Sequence, residues 1–335
     1  MSLPATMAAV VLTRHGGPEA LDWRAVPVPE PGPGEALVQV LAAGVNATDI
    51  NTRVGWYGAG EAAGWSGAVR FPRIQGSDLC GRVVAHGPGV ERPPVGARVI
   101  CPTTQDGPGG ARAIGSDFDG AFAQFCAVPA RHLHDVTDAP LSDVELGAIP
   151  CSHGAAQAMV RRAGVGPGDT VLVTGASGGV GLAAVELARI AGARVLGQSA
   201  QGEAVAAAGG EPVARDAPLP PGSLDVVIDV VGGPGWGARL AALRPGGRCA
   251  LAGAVAGPLV ETDLRTVYLS DLAIFGCTRQ RPGDFEALVA LINAGAIRPR
   301  IAATYPLQDI GRAQAEFLGK GAAGKHVLIP PETAA

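Results

Sequence analysis

Apolar positions in the first 130 residues fall in short runs separated by glycine and proline. They read MAAVVL from Met7, EALVQVLAAGV from Glu35, GRVVAHG from Gly81, ARVICP from Ala97 and FAQFCAV from Phe122. Such runs with such turn chemistry predict a small antiparallel barrel or sandwich. From about Asp143 the pattern changes to near-continuous apolar strands alternating with helices. Strands are expected at Asp169–Thr174, Ala193–Gln198, Leu224–Val231 and Gly247–Ala252, and helices at Val180–Ala191, Glu203–Ala208 and Trp236–Leu243. A parallel sheet covered on both faces requires that alternation, so this part reads as a doubly wound α/β domain. A last helix is expected over Pro282–Ala294, followed by short strand-like pieces ending in KHVLIP. Gly58–Phe71 and Thr103–Asp119 are glycine-rich without periodicity and read as long loops.

Composition narrows the function classes. Hydrophobic residues make up 47% and charged residues 17%, which excludes a disordered chain and predicts two well-buried domains over 335 residues. A net charge of −4 gives no electrostatic footprint for nucleic acid. No apolar stretch reaches the ~20 residues of a membrane span. The first residues lack a basic segment followed by a long apolar run, so no signal peptide is expected. Six scattered cysteines without a C-x-x-C pair predict reduced thiols and a cytoplasmic setting.

The strongest motif is Thr174-Gly175-Ala176-Ser177-Gly178-Gly179-Val180-Gly181, placed after a strand and before a helix. There the glycines let the backbone approach a pyrophosphate, and the helix start offers N–H donors and positive dipole to it. Specificity for NAD calls for a carboxylate at the end of the second strand, ~20 residues on. That place reads Gly197-Gln198-Ser199-Ala200-Gln201, with no carboxylate before Glu203. Ser199 and Arg215 are the residues suited to a 2′-phosphate, so NADP(H) is expected. The same loop fits the short-chain dehydrogenases, but those need a Tyr-x-x-x-Lys pair, and none of the three tyrosines has a lysine there.

The whole chain, over residues 7–330, resembles the medium-chain dehydrogenase/reductase superfamily. EALVQVLAAGVNATD, RIQGSDLCGRVVAHGPGV, PGDTVLVTGASGGVGLAAVELARIAGA and GAIRPRIAATYPL…AAGKHVLIP carry the likeness, which is nearest the quinone oxidoreductase-like branch. The resemblance implies a GroES-like barrel domain over 1–130, completed by 276–335, with a Rossmann domain at 131–275. It adds Val231, Gly253 and Lys325 to the cofactor contacts and implies a homodimer. In zinc members a Cys stands where Asn46 does, and Gly-His-Glu where Gly76-Ser77-Asp78 does. Asn46 and Ser77 are poor zinc ligands, and four clustered cysteines for a structural zinc are lacking, so no zinc is expected.

The run Asn46-x-x-Asp49-x-x-x-Arg53-x-Gly55-x-Tyr57 matches that of quinone-reductase-like enzymes. By that likeness Asn46 and Tyr57 donate hydrogen bonds to the acceptor oxygen, while Asp49 and Arg53 organise the site. Residue chemistry alone offers plainer roles: Asn46 as a helix cap and Asp49–Arg53 as an i,i+4 pair. The long Gly58–Phe71 stretch is expected to shape access for a small-molecule acceptor. Ala155 stands where many relatives have Thr, and the neighbouring His153 is a minor proton-donor candidate. The expected activity is hydride transfer from NADPH to a quinone or an α,β-unsaturated carbonyl compound. An enoyl-thioester reductase and an NADPH-binding sensor or structural protein with little catalysis are the alternatives.

Overall fold

The computed structural model describes residues 3–57, 69–107 and 109–333. Most of the Gly58–Phe71 stretch therefore lies outside the described residues. The chain divides into two compact units, Met1–Cys151 with Val289–Ala335, and Ser152–Leu288.

The first unit is built around strand Glu35–Gly44, whose Ala36, Leu37, Val38, Val40, Ala42 and Ala43 are buried. It pairs antiparallel with Cys80–His86, Phe125–Pro129 and Lys325–Ile329. The last pairing brings the C-terminal segment into the barrel, and Leu307, Ile310 and Leu328 join Leu37, Leu79 and Phe122 in one core. A three-stranded sheet, Leu21–Pro27, Thr6–Leu12 and Arg73–Ile74, completes this unit's main β-structure. Two expectations need correction. The stretch Thr103–Asp119 is not a structureless loop, because Thr104–Gly107 pairs with Gly110–Ala113. Gly109 and Gly110, at φ +87° and +116°, make the tight reversal that periodicity cannot reveal. The segment after Asn293 also holds a helix, Ile310–Gly319, which buries Ile310, Ala313 and Gln314 in i, i+3, i+4 spacing.

The second unit carries six parallel strands in the order Glu211–Val213, Arg194–Gln198, Thr170–Thr174, Leu224–Asp229, Leu243–Leu251 and Ala273–Gly276. Helices Gly179–Ile190, Gly202–Ala207 and Trp236–Ala241 connect them. Strand order reverses between Thr170–Thr174 and Leu224–Asp229, and such a switch point is where doubly wound sheets bind ligands. Leu172, Leu224, Val227, Trp236 and Leu240 pack together beneath it.

Candidate active site

In the first unit, strand Glu35–Gly44 delivers Asn46 in extended conformation to the start of helix Ala47–Val54. Asn46 is the N-cap of that helix and forms a capping box with Asp49. Asp49 Oδ2 accepts from the Asn46 backbone N–H at 2.9 Å. The Asn46 amide also meets stronger, charged partners. Its Nδ2 donates to Asp78 Oδ2 at 2.8 Å, and its Oδ1 accepts from Lys325 Nζ at 2.5 Å. Longer contacts of 3.3 Å run from Nδ2 to Ser77 Oγ and to the Gly44 carbonyl. Lys325 Nζ also donates to Asp78 Oδ2 at 2.8 Å and to the Val45 carbonyl at 3.1 Å. Asp78 Oδ1 accepts from the Cys151 backbone N–H at 2.6 Å. Gly44 is needed here, since a Cβ would collide with the Asp78 carboxylate and the Gly147 carbonyl.

The Asp49–Arg53 pair is absent. Asp49 Oδ1 accepts from Ser77 N and Oγ at 3.2 and 3.3 Å, while Arg53 reaches Gln314 Oε1 at 3.1 Å and the Gly16 carbonyl at 2.7 Å. Burial is the main cause that pushes the Asp49 carboxyl up to about 7. The Asn46 N–H opposes that shift, and the neighbouring Asp78 charge adds to it. Tyr57 follows the helix after Gly55, whose φ of +72° makes the turn. Its hydroxyl lies 3.5 Å from the Asn51 amide nitrogen, and burial raises the phenol above its usual range, so it stays protonated at neutral pH.

In the second unit, Gly175 sits at φ +58°, where a Cβ would also press on Val230 and Val231. A Cβ at Gly181 would collide with the Gly175 carbonyl, and one at Gly253 would lie 2.7 Å from the Val230 carbonyl. Gly178 is the N-cap of helix Gly179–Ile190 and no side chain caps it, so the N–H groups of Gly179, Val180 and Gly181 lack a side-chain acceptor. Ser177 lies on the turn itself. A residue the sequence reading passed over organises this end. Asp229 is almost wholly buried, and its Oδ1 accepts from Thr174 Oγ1 at 2.6 Å, Val231 N at 2.8 Å and Gly232 N at 3.2 Å. Arg239 faces its Oδ2 at 3.1 Å. At the next strand end, Ser199 Oγ accepts from Gln201 N, and Gln198 donates its side-chain amide to the Arg215 carbonyl at 3.0 Å. That bond ties Arg215, itself exposed, to the second strand. His153 is buried beside Ser152 Oγ at 3.1 Å and Glu186 at 3.4 Å, a polar contact within helical packing.

The structure thus gathers Asn46, Asp49 and Lys325 into one network with Ser77 and Asp78. It gathers Gly175, Gly178, Gly179, Val180, Gly181, Val231 and Gly253 at the switch point, with Ser199 and Arg215 one strand away. Among the described residues no three His, Cys, Asp or Glu side chains cluster as a metal site.

Residues 32–138 match the family model of the alcohol dehydrogenase GroES-like domain, and 204–328 that of the zinc-binding dehydrogenase. Acryloyl-coenzyme A reductase of Metallosphaera sedula is 30% identical, over 96% of this chain and 99% of its own. Quinone oxidoreductase of Homo sapiens is 29% identical over 96% and 98%. A crystal structure from Sinorhizobium meliloti 1021, 39% identical, superposes with a TM-score of 0.91 over 98% of both chains. NAD-dependent alcohol dehydrogenases stand among the relatives too. The chain belongs to the medium-chain dehydrogenase/reductase superfamily, in its quinone oxidoreductase-like branch. It is an oxidoreductase with a GroES-like domain and a Rossmann domain.

Asp49 makes stability depend on pH. Its carboxyl ionises at 3.8 when unexceptional and at about 7 in the fold, so the folded state holds the proton more tightly. Its contribution is complete below the lower value and is withdrawn as pH rises through the upper one, at ~1.4 kcal/mol per unit between them. Asp49→Asn should flatten the fall in unfolding free energy between pH ~5 and ~7 in urea titrations. Equal slopes for both proteins would show that Asp49 ionises normally.

Proposed function

We propose that the protein is an NADP(H)-dependent reductase that delivers hydride, without a metal, to a quinone or an α,β-unsaturated carbonyl acceptor. The observation that carries this reading is the donor set around Asn46. Amide and hydroxyl groups of Asn46 and Ser77 stand at the places where zinc relatives carry metal ligands, and an ammonium already binds Asn46 and Asp78. Burial, with Asp78 adding to it, pushes the nearby Cys151 thiol up to about 12, so it is no ready thiolate. Zinc does not fit such a set, because Asn46 and Ser77 are neutral, weak donors and the Asp78 carboxylate is already held by the Lys325 ammonium, whose charge a divalent cation would meet.

NADP(H) fits the second unit. The close approach at Gly175 and Gly181 and the helix start at Gly178 suit the pyrophosphate, and Ser199 and Arg215 suit a 2′-phosphate. When bound, the reduced nicotinamide supplies the hydride. Hydride addition to the β-carbon of an enone, or to a quinone, spreads charge onto a distal oxygen that hydrogen-bond donors can stabilise. In this reading the Tyr57 hydroxyl and the loosely engaged second N–H of Asn46 meet that oxygen, Asp49 fixes the Asn46 backbone, and solvent supplies the proton.

The acryloyl-coenzyme A reductase relative favours a second reading, an enoyl-thioester acceptor. A spectrophotometric screen of NADPH oxidation against quinones, enones and enoyl-CoAs, repeated after chelation, separates these. Turnover confined to enoyl-CoAs selects the second reading, and activity lost with bound zinc removes the metal-free mechanism. No turnover on any class leaves a binding protein.

NADPH should bind more tightly than NADH, and Arg215→Ala should weaken NADPH selectively in fluorescence titrations. If both cofactors weaken alike, Arg215 is no partner of the 2′-phosphate. Tyr57→Phe keeps the ring and removes the donor. It should cost ~2.7–4 kcal/mol in the transition state, seen in kcat and kcat/KM together with NADPH affinity unchanged. Full turnover by Tyr57→Phe would reduce the tyrosine to packing.

A further inference from the structure

We infer that Lys325 is a positioning residue, the built-in cation of the site, which together with Asp78 locks and polarises the Asn46 carboxamide and does not bind cofactor phosphate. The inference deepens the proposed function: it rests on that reading for its effect on turnover, but not for the lock itself.

An ammonium carries three donors and no acceptor. All three are engaged, with Asp78 Oδ2 at 2.8 Å, Asn46 Oδ1 at 2.5 Å and the Val45 carbonyl at 3.1 Å. Lys325 is 3% exposed and Asp78 fully buried, so a phosphate would have to break this set in a dry interior before gaining a bond. The amide orientation follows from the same chemistry. Lys325 can only donate, so it faces Oδ1, and the Asp78 carboxylate can only accept, so it faces Nδ2. Asn46, Lys325 and Asp78 close a three-cornered ring in which rotating the amide would oppose like groups at two corners.

Two further features show that the ring is built in. Asp78 Oδ1 is anchored by the Cys151 N–H at 2.6 Å, and Gly44 leaves the room its carboxylate needs. The remaining Asn46 N–H has only the 3.3 Å contacts to Ser77 and Gly44, so it is the one free to turn to an acceptor oxygen. A cation on the amide oxygen draws electron density from that N–H and makes it a stronger donor. A metal would do this by bonding the substrate oxygen directly. Lys325 does it through one amide.

Asn46, Asn51 and Asn293 are the only asparagines in the chain, so 15N-asparagine labelling yields three side-chain amide pairs to follow by NMR. Lys325→Met leaves Asp78 buried and unpaired, so Lys325→Met/Asp78→Asn, which keeps the charge balance, is measured beside it. Exchange of the Asn46 amide protons with solvent should quicken about tenfold or more in the double variant. NADPH affinity should stay within about twofold, while kcat on the best acceptor falls about 10- to 100-fold with little change in KM. Unchanged amide exchange would overturn the lock, and so would unchanged kcat overturn its catalytic role. A loss of about tenfold in NADPH affinity would make Lys325 a phosphate partner after all. If the wild-type protein reduces no acceptor, the proposed function fails, and the exchange and NADPH measurements still decide for or against the lock.

Discussion

Lys325 and Asp78 stand 247 positions apart in sequence and 2.8 Å apart in the fold, both sealed from water. Removing one partner of such a pair typically costs ~3–5 kcal/mol, because the other charge is left buried alone. The pair therefore does more than attract. It fixes where strand Lys325–Ile329 begins against strand Glu35–Gly44, since Lys325 also holds the Val45 carbonyl just past that strand's end. Through Asp78 it fixes the Cys151 backbone as well. Asn46 sits where these constraints meet, and its orientation is their common product.

The second unit solves a similar problem with a different carboxylate. Asp229 ends its strand in the interior and binds the Thr174 hydroxyl on the neighbouring strand and two backbone N–H groups of its own turn. Arg239 meets its second oxygen and also donates to the Gly232 carbonyl. The two strand ends on either side of the switch point are thereby held in one register. That spacing is what gives Gly175 its close approach to Val230 and Val231. A flexible glycine turn would bind phosphates poorly if its flanks could drift, because ordering it would cost free energy on each binding event.

Patterns with a period were legible in the sequence. The parallel strands emerge from unbroken apolar runs, and the glycine loop from its place between strand and helix. What escaped depends on long-range partners. Asn46 has the residue type of a cap, and nothing local reveals that Lys325 and Asp78 also hold its side chain. Arg53 stands four residues from Asp49, yet Gln314, far along the chain, takes its guanidinium. Asp229 did leave a trace, as the second of two carboxylates in LDVVIDVV, set inside the apolar run where it must find buried partners. The Thr104–Ala113 hairpin escaped for another reason: its strands are four residues each, too short to show alternation.

Helix Ala47–Val54 shows why the site is rigid before any ligand arrives. Its buried residues are Asp49, Ile50, Thr52 and Arg53, so apolar contact alone cannot seat it. Buried polar groups must be satisfied, and three of them reach remote parts of the chain: Asp49 to Ser77, Arg53 to Gly16 and Gln314, and the preceding Asn46 to Asp78 and Lys325. Charges buried this way add less stability than packed hydrophobic residues of similar volume. They add direction, which apolar contacts lack. Donors that stabilise a developing oxyanion work best when they need not reorganise during the reaction. A coordinated metal obtains that rigidity from its ligand geometry, and here hydrogen bonds drawn from remote parts of the chain provide it around Asn46.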